Sequence, residues 1–239
     1  MELPGKTVLI TGGARRLGKS LAAHLYQRGC SIVVHYNSSE TEAREFQSQI
    51  GCRLFHADFS KISIQKLKSR LKEEIGVVDI LINNASTFNE RQWEDIDEAS
   101  WDHDLNVNLK IPFFLAHYFG PLMKAKGYGK ILNMADIAAE HPYLKHLSYS
   151  IAKAGVISFT RALARTLAPE VQVNAIAPGT ILFPENMPQQ TQNAILKHIP
   201  AGRTATLDEF LRTVDFLLED VDYINGQTIV LDGGRSLTW

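Results

Sequence analysis

The stretch TVLITGGARRLG, residues 7–18, decides the fold. Its first part, TVLIT (7–11), is apolar and rich in β-branched residues, as in a strand that is covered on both faces. Gly12 and Gly13 then allow tight backbone curvature, and Gly18 lets a helix begin close to the strand with its free N–H groups exposed. A strand that turns through glycines into a helix is typical of the first turn of a doubly wound α/β sheet.

Six further apolar runs follow, and helical patterns separate them. These runs are SIVVH (31–35), CRLFHA (52–57), VDILIN (78–83), GKILNM (129–134), VQVNAIA (171–177) and QTIVLD (227–232). Right-handed helical crossovers would bring all seven strands into one parallel sheet with helices on both faces. The sequence therefore predicts a Rossmann-type, doubly wound α/β fold, with residues 1–239 as one domain.

Two long loops are predicted near residues 86–98 and 183–207, and loops of this length are usually functional. We expect the second one to cover a substrate. Its three prolines, Pro184, Pro188 and Pro200, argue against one long helix in this segment.

The composition narrows the choice of partner. The 239 residues carry 25 basic and 26 acidic side chains without a basic stripe, so we expect no nucleic-acid partner. The apolar runs are too short to span a bilayer and residues 1–6 do not resemble a signal peptide, which predicts a cytoplasmic protein without a membrane partner. Cys30 and Cys52 lack the spacing of a disulfide framework or a metal site, so we predict no metal.

In a doubly wound sheet the ligand lies beyond the carboxyl ends of the strands, where the winding reverses. The turn after the first strand is therefore predicted to bind a pyrophosphate. It offers Gly12, Arg15, Arg16, Leu17 and Gly18, and an arginine stands at position 16 where the usual dinucleotide fingerprint has a glycine.

The end of the second strand predicts which nicotinamide cofactor is bound. An acid there would bind the ribose hydroxyls of NAD, but this chain offers only Tyr36, Asn37, Ser38 and Ser39. With Arg15 as a counter-charge, this neutral rim favours a 2′-phosphate and therefore NADPH. Asp58, after the third strand, could accept a hydrogen bond from the adenine amino group or serve as a helix N-cap.

Tyr149 and Lys153 are spaced i, i+4 in a predicted helix, so they share one face. A nearby ammonium would lower the phenol pKa from roughly 10, which would let the tyrosine exchange a proton with a substrate at neutral pH.

The motifs of this chain together resemble the short-chain dehydrogenase/reductase family over essentially its whole length. They are TGGARRLG, NNAS (83–86), NVNL (106–109), YSIAK (149–153), VNAIAPG (173–179) and LDGG (231–234). The resemblance implies that Tyr149 is the proton donor, that Lys153 binds the nicotinamide ribose and tunes the tyrosine, and that Asn108 helps to hold a proton-relay water. It also implies a homotetramer packed through long helices. The residues that it places beside the nicotinamide are Asn83, Ala85, Pro178, Gly179 and Ile181.

One detail agrees with this role of Asn108. Pro112 has no N–H group, so the carbonyl of residue 108 would lose its helical partner and could accept a hydrogen bond from a water. A simple helix kink is the alternative.

Asp136 departs from the family pattern, which usually has a serine thirteen residues before the tyrosine. An ionised carboxylate cannot donate a hydrogen bond to a ketone oxygen, and it would raise the pKa of the neighbouring phenol. It can accept from the N–H donors of a nitrogen heterocycle, so Asp136 favours reduction of a C=N bond over a C=O bond. The alternative is that Asp136 only caps the segment after the fifth strand.

Four departures and the C-terminal DGGRSLT resemble the pteridine reductases and dihydromonapterin reductases. The departures are Arg16, Ser86, Phe88 and Asp136. This likeness implies that a pterin lies between the nicotinamide and Phe88, and that Arg16 and Ser86 contact the pterin or the cofactor phosphates. Tyr149 completes the predicted substrate site. Ser38 departs from this subgroup, which often carries an arginine there, so discrimination between the two cofactors would be softer.

These observations predict NADPH-dependent reduction of a pterin or dihydropterin, in which Tyr149 assists proton delivery while a hydride reaches the pyrazine ring. One alternative is a carbonyl reductase acting on 3-oxoacyl thioesters, which Asp136 disfavours. Another is a non-catalytic NADP(H)-binding regulator, which the presence of Tyr149, Lys153 and Asn108 disfavours.

Overall fold

Seven parallel strands form one sheet in a computed structural model that describes residues 1–238. The strands are β1 (Thr7–Ile10), β2 (Ser31–Tyr36), β3 (Arg53–His56), β4 (Ile80–Asn83), β5 (Gly129–Met134), β6 (Val171–Pro178) and β7 (Thr228–Leu231). Their order across the sheet is β3-β2-β1-β4-β5-β6-β7, so the winding reverses between β1 and β4. The predicted doubly wound α/β fold is confirmed, and a crevice for a ligand is expected at this reversal.

Helices cover both faces of the sheet. They are α1 (Arg16–Gln27), α2 (Glu40–Ile50), α3 (Ile64–Arg70), α4 (Glu98–Leu105), α5 (Ile111–Lys126), α6 (Leu147–Leu167), α7 (Gln189–Lys197) and α8 (Leu207–Asp215). Alternate strand residues point to opposite faces: Leu9 packs with α3, α5 and α6, whereas Val8 and Ile10 pack with α1, α2 and α8. The continuous apolar runs in the sequence exist because both of these layers must be filled.

A π-helical turn, Asn106–Lys110, joins α4 to α5. It ends two residues before Pro112, the second residue of α5, whose missing N–H group cannot continue the regular helical hydrogen bonds. The interruption of helical hydrogen bonds that was predicted at this proline is therefore a π-helical turn, which is wider than an α-helical one. This turn carries the fully buried Asn108 towards the segment that follows β4.

The segment 183–207 differs from the loop predicted there. Pro188 precedes α7, and the nine residues of that helix occupy the centre of the segment. The prolines prevent one long helix, as predicted, but they allow a short helix between them. No helix in residues 1–238 combines the length and the apolar character needed to cross a bilayer.

Candidate active site

A cavity of about 1240 Å³ opens at the carboxyl ends of the central strands. Pockets for one small ligand usually measure roughly 300–1,000 Å³, so this space suits a dinucleotide together with a second molecule. Most predicted site residues line it. They are Gly12, Arg15, Arg16, Leu17, Gly18, Tyr36, Asn37, Ser38, Ser39, Asp58, Ala85, Ser86, Phe88, Asp136, Tyr149, Gly179 and Ile181.

Four predicted site residues are not among the lining residues. Asn83 donates its amide hydrogen to Asn133 at 2.8 Å inside the protein, and its neighbour Asn84 lines the cavity. Asn108 is bonded to the segment after β4, and Pro178 ends β6. Lys153 is buried and donates to the carbonyl of Met134 at 2.7 Å. These four residues therefore lie outside the lining of the cavity.

The turn after β1 is fastened to its neighbours from both sides. Gly12 donates its N–H group to Nδ1 of His35 at 3.1 Å, and Asn84 donates its side-chain amide to the carbonyl of Thr11 at 2.8 Å. A Cβ atom on Gly18 would lie 2.2 Å from the carbonyl oxygen of Gly12, so the helix can begin this close only with glycine. The backbone of this turn therefore fits the predicted phosphate site.

Arg16 keeps the left-handed backbone that a glycine would adopt most easily, with φ +48°. This conformation costs a residue with a side chain about 1–2 kcal/mol. Its guanidinium donates to the carbonyl of Leu182 at 3.1 Å and so joins the phosphate turn to the segment after β6. Arg16 thus spans the boundary between the predicted cofactor and substrate regions.

The rim beyond β2 carries the predicted 2′-phosphate residues. Arg15 lies 3.6 Å from Glu42 across this rim, and both side chains are largely exposed. Asp58 accepts hydrogen bonds from the backbone and hydroxyl of Ser60. The N-cap alternative for Asp58 is wrong, because α3 begins at Ile64 and Ser63 caps it.

Tyr149 and Asp136 form the chemical centre of the cavity. The phenol of Tyr149 donates to Oδ2 of Asp136 at 2.6 Å, and Nζ of Lys153 lies 5.5 Å from the phenol ring centroid. Burial raises the pKa of Tyr149 well above 10, and the Asp136 carboxylate raises it further. The predicted lowering of the phenol pKa by Lys153 is therefore wrong, whereas the predicted effect of Asp136 agrees with the geometry.

Burial also acts on the two partners of Tyr149. It raises the pKa of Asp136, although the hydrogen bonds from Tyr149 and Ala138 oppose this effect. It lowers the pKa of Lys153 to about 8, although Asp136 favours the ammonium form. The phenol thus holds its proton at neutral pH beside a carboxylate that can accept hydrogen bonds.

An aromatic wall, formed by Phe88, Tyr143 and His146, faces this centre. Phe88 is 54% exposed, stacks on His146 with ring centroids 3.7 Å apart, and meets Tyr149 edge-on at 4.8 Å. Nδ1 of His146 lies 2.9 Å from the carbonyl of Asn89, so Nδ1 is the protonated nitrogen of the neutral ring. Burial lowers the pKa of His146, which favours this neutral form.

Several residues at or behind the cavity were not predicted from the sequence as site residues. They are His35, Asn84, Asp104, Tyr143, His146 and Arg235. Tyr143 and His146 lie between β5 and α6 in an irregular segment without a periodic pattern. Asn84 could have been identified from its place in the NNAS motif. Asp104 stands four residues before Asn108, and this helical spacing indicates that the two side chains share a face.

Comparison with known proteins agrees with this architecture. Residues 12–236 match a family model described as enoyl-(acyl carrier protein) reductase. A 2-dehydro-3-deoxy-D-gluconate 5-dehydrogenase of Bacillus subtilis is 35% identical over 243 residues, which cover 98% of this chain and 95% of that protein. An acetoacetyl-CoA reductase of Shinella zoogloeoides is 30% identical, with 96% of this chain and 98% of that protein covered.

A solved structure is also similar throughout. It is the crystal structure of FolM alternative dihydrofolate reductase 1 from Brucella canis complexed with NADP, which is 33% identical, with a TM-score of 0.89. The similarity covers 100% of this chain and 97% of that one. With matches of this extent to both sequences and structures, the chain belongs to the short-chain dehydrogenase/reductase family.

Proposed function

We propose that this protein reduces a pterin or dihydropterin with NADPH. The observation that carries the proposal is the hydrogen bond of 2.6 Å between Tyr149 and Asp136, at the position where a hydroxyl donor to a carbonyl substrate would otherwise stand. The similar Brucella canis protein is called an alternative dihydrofolate reductase, which supports a substrate with a pterin ring.

The residues around the cavity fit NADPH. The turn at Gly12–Gly18 offers backbone N–H groups and a helix N-terminus to the pyrophosphate, and the rim at Tyr36–Ser39 offers hydroxyl and amide groups with Arg15 nearby. The Brucella canis structure contains NADP, which supports this choice. When bound, NADPH would supply the hydride.

The protein side chains would bind the ring and deliver the proton. Asp136 would accept hydrogen bonds from the amino and ring N–H groups of the substrate, since an ionised carboxylate has four acceptor sites and two are already used. Phe88 would stack against the flat ring, an arrangement worth about 0.5–1.5 kcal/mol beyond the buried area. Tyr149, which keeps its proton at neutral pH, would turn its O–H from Asp136 towards a ring nitrogen and donate the proton there.

Reduction of a 3-oxoacyl thioester is the second candidate function. The acetoacetyl-CoA reductase of Shinella zoogloeoides is 30% identical to this chain, and its name favours this activity. A ketone oxygen needs hydrogen-bond donors, however, and the carboxylate of Asp136 cannot donate one when ionised.

A direct comparison of substrates tests the proposal. NADPH oxidation is measured with a dihydropterin, dihydrofolate and an acetoacetyl thioester under identical conditions. We expect the largest kcat/KM with one of the two pterin-ring compounds. A larger value with the thioester would overturn the proposal in favour of carbonyl reduction, and no turnover with any compound would favour the non-catalytic regulator.

A further inference from the structure

Asp104 is a buried acid that the proposed chemistry does not use. It is the penultimate residue of α4 and is only 1% exposed. Burial by itself would raise the pKa of its carboxyl group, but hydrogen bonds from Ser148, Asn89 and His103 and the charge of Arg91 hold the pKa below the usual value. The carboxylate is therefore ionised at neutral pH in the protein interior, which requires several partners.

The partners of Asp104 come from two parts of the cavity wall. Oδ2 accepts from Nη1 of Arg91 and from the hydroxyl of Ser148, both at 2.6 Å. Oδ1 accepts from the amide of Asn89 at 3.2 Å and from the hydroxyl of Thr87 at 3.3 Å. His103, the preceding residue, lies 3.4 Å from Oδ1.

Three of these partners alternate along the segment 84–92, which has no regular secondary structure. Thr87, Asn89 and Arg91 all reach Asp104, and Phe88, which lies between the first two, lines the cavity. Because both neighbours of Phe88 in the chain are bonded to Asp104, these two hydrogen bonds fix the backbone from which the Phe88 side chain projects.

The fourth partner belongs to the helix of the proton donor. Ser148 immediately precedes Tyr149 in α6, and its hydroxyl shares Oδ2 of Asp104 with Arg91. One carboxylate thus joins the start of α6 to the segment that carries Phe88. Phe88 and Tyr149, whose rings lie 4.8 Å apart, are each one residue away from a partner of Asp104.

We propose that Asp104 is a positioning residue that sets the place of Phe88 relative to Tyr149 and thereby the binding of the substrate ring. This inference rests on the proposed function in so far as Phe88 contacts the substrate. Asn108, one helical turn later, accepts from the backbone of Thr87 and from Ser86, so it supports the start of the same segment. Asp104 holds the remainder of that segment, up to Arg91.

The test compares Asp104→Asn with Glu98→Gln. Glu98 lies on the same helix and is exposed, so the second variant controls for the change of charge. Hydrogen exchange of residues 84–92 should be faster in Asp104→Asn than in Glu98→Gln, because an amide replaces the charged acceptor of the hydrogen bonds from this segment. Unchanged exchange in this segment would overturn the proposal.

Kinetics provide the second measurement, with whichever compound of the substrate comparison the unmodified protein reduces. We expect Asp104→Asn to raise the substrate KM by roughly ten- to a hundredfold, because misplacement by an ångström has effects of that size, while the Kd for NADPH stays within about twofold. Partial unfolding would instead lower the apparent kcat at unchanged KM. Faster exchange with an unchanged KM would therefore contradict the positioning role.

A second variant and the exchange measurement separate loss of positioning from loss of folding or activity. If Asp104→Asn does not fold, Ser148→Ala removes only the contact with α6 and should raise the KM in the same direction, and an unaltered KM in that variant would count against the proposal. If the unmodified protein reduces none of the compounds, the proposed function fails, and the exchange comparison still decides whether Asp104 holds the segment.

Discussion

At the scale of single residues, Asp136 combines the two roles that its sequence position suggests. Oδ1 accepts from the backbone N–H of Ala138 at 2.8 Å, as an N-cap does, and Oδ2 accepts from Tyr149. A serine at this position could satisfy the N–H group of Ala138 equally well. Capping therefore does not explain why the chain carries an acid here, and a charge beside Tyr149 remains the distinguishing property.

The charge of Asp136 is tested by two substitutions at this position. Asp136→Ser and Asp136→Asn should each lower kcat/KM for the dihydropterin by roughly a hundredfold, because both remove the charge that accepts from substrate N–H groups. The Kd for NADPH should stay within about twofold, since the phosphate turn is unaltered. Asp97→Ser is the matched control, because Asp97 caps α4 outside the cavity. Near-normal kcat and KM in Asp136→Ser would make the aspartate purely structural.

Arg15 gives a prediction about the cofactor. NADPH should bind more tightly than NADH, and Arg15→Ala should reduce this preference by roughly tenfold or less, because the exposed guanidinium already lies near Glu42. Arg44→Ala removes an exposed arginine of α2 that is paired with Glu40, and it should leave the preference unchanged. Fluorescence titration of each variant with both cofactors measures the effect. Equal affinity of the unmodified protein for NADPH and NADH would contradict this assignment.

At the scale of elements, His35 fastens three parts of the phosphate site together. It lies on β2, accepts from the N–H group of Gly12 in the turn after β1, and has Nε2 3.0 Å from the carbonyl of Ala57 after β3. Because Nδ1 accepts, Nε2 must carry the proton and donate. Its ring also stacks on Phe59 at 3.8 Å. A neutral histidine in one tautomer therefore holds the turn in place.

The buried position of His35 predicts a pH dependence of stability. Burial lowers its pKa to about 4 in the folded protein, whereas the unfolded chain has the ordinary value near 6.5. Between these values the unfolded state binds more protons, so the free energy of unfolding should fall with falling pH, by roughly 2–3 kcal/mol between pH 7 and 4.5. Urea unfolding at both pH values measures this loss.

The variant His35→Asn assigns that loss to this residue. It should be less stable than the unmodified protein at pH 7, but its stability should fall less between pH 7 and 4.5, because asparagine does not titrate. The exposed His198 provides the control, and His198→Asn should keep the original pH dependence. An unchanged pH dependence in His35→Asn would show that other groups cause the loss.

The sequence predicts the strands of this fold more closely than its short helices. The seven strands were predictable because short apolar runs must fill a layer on both faces, and no strand end differs from its predicted run by more than two residues. The short helix α7 was missed because three prolines in its neighbourhood indicated a loop. The position of Phe88 was predictable from its motif, but its stacking on His146 joins residues that are 58 positions apart, which no local pattern records.

At the scale of the whole molecule, the apolar run IPFFLAHYFGPLM (111–123) divides between the core and the surface. Ile111, Leu115, Phe119 and Met123 face inward and are at most 1% exposed. Phe113 and Phe114 instead line a groove of about 480 Å³ on the outer side. The remaining residues of the groove are Asp102, Leu105, Asn106, Leu109, Lys110 and Phe159. The run therefore supplies more apolar surface than the core of one chain uses.

We propose that this groove packs against other copies of the chain in a homotetramer, as the family resemblance implies. An apolar patch rimmed by Asp102 and Lys110 is typical of a protein interface. For the four copies that the resemblance implies, light scattering should give a mass about four times that of one chain. Phe114→Glu should shift the population to smaller species, since it places a charge in the groove. Tyr26→Glu alters an exposed aromatic residue on α1, which covers the other face of the sheet, and it should leave the assembly intact. A monomeric unmodified protein would contradict the tetramer, and an unchanged mass in Phe114→Glu would show that the copies meet at another surface.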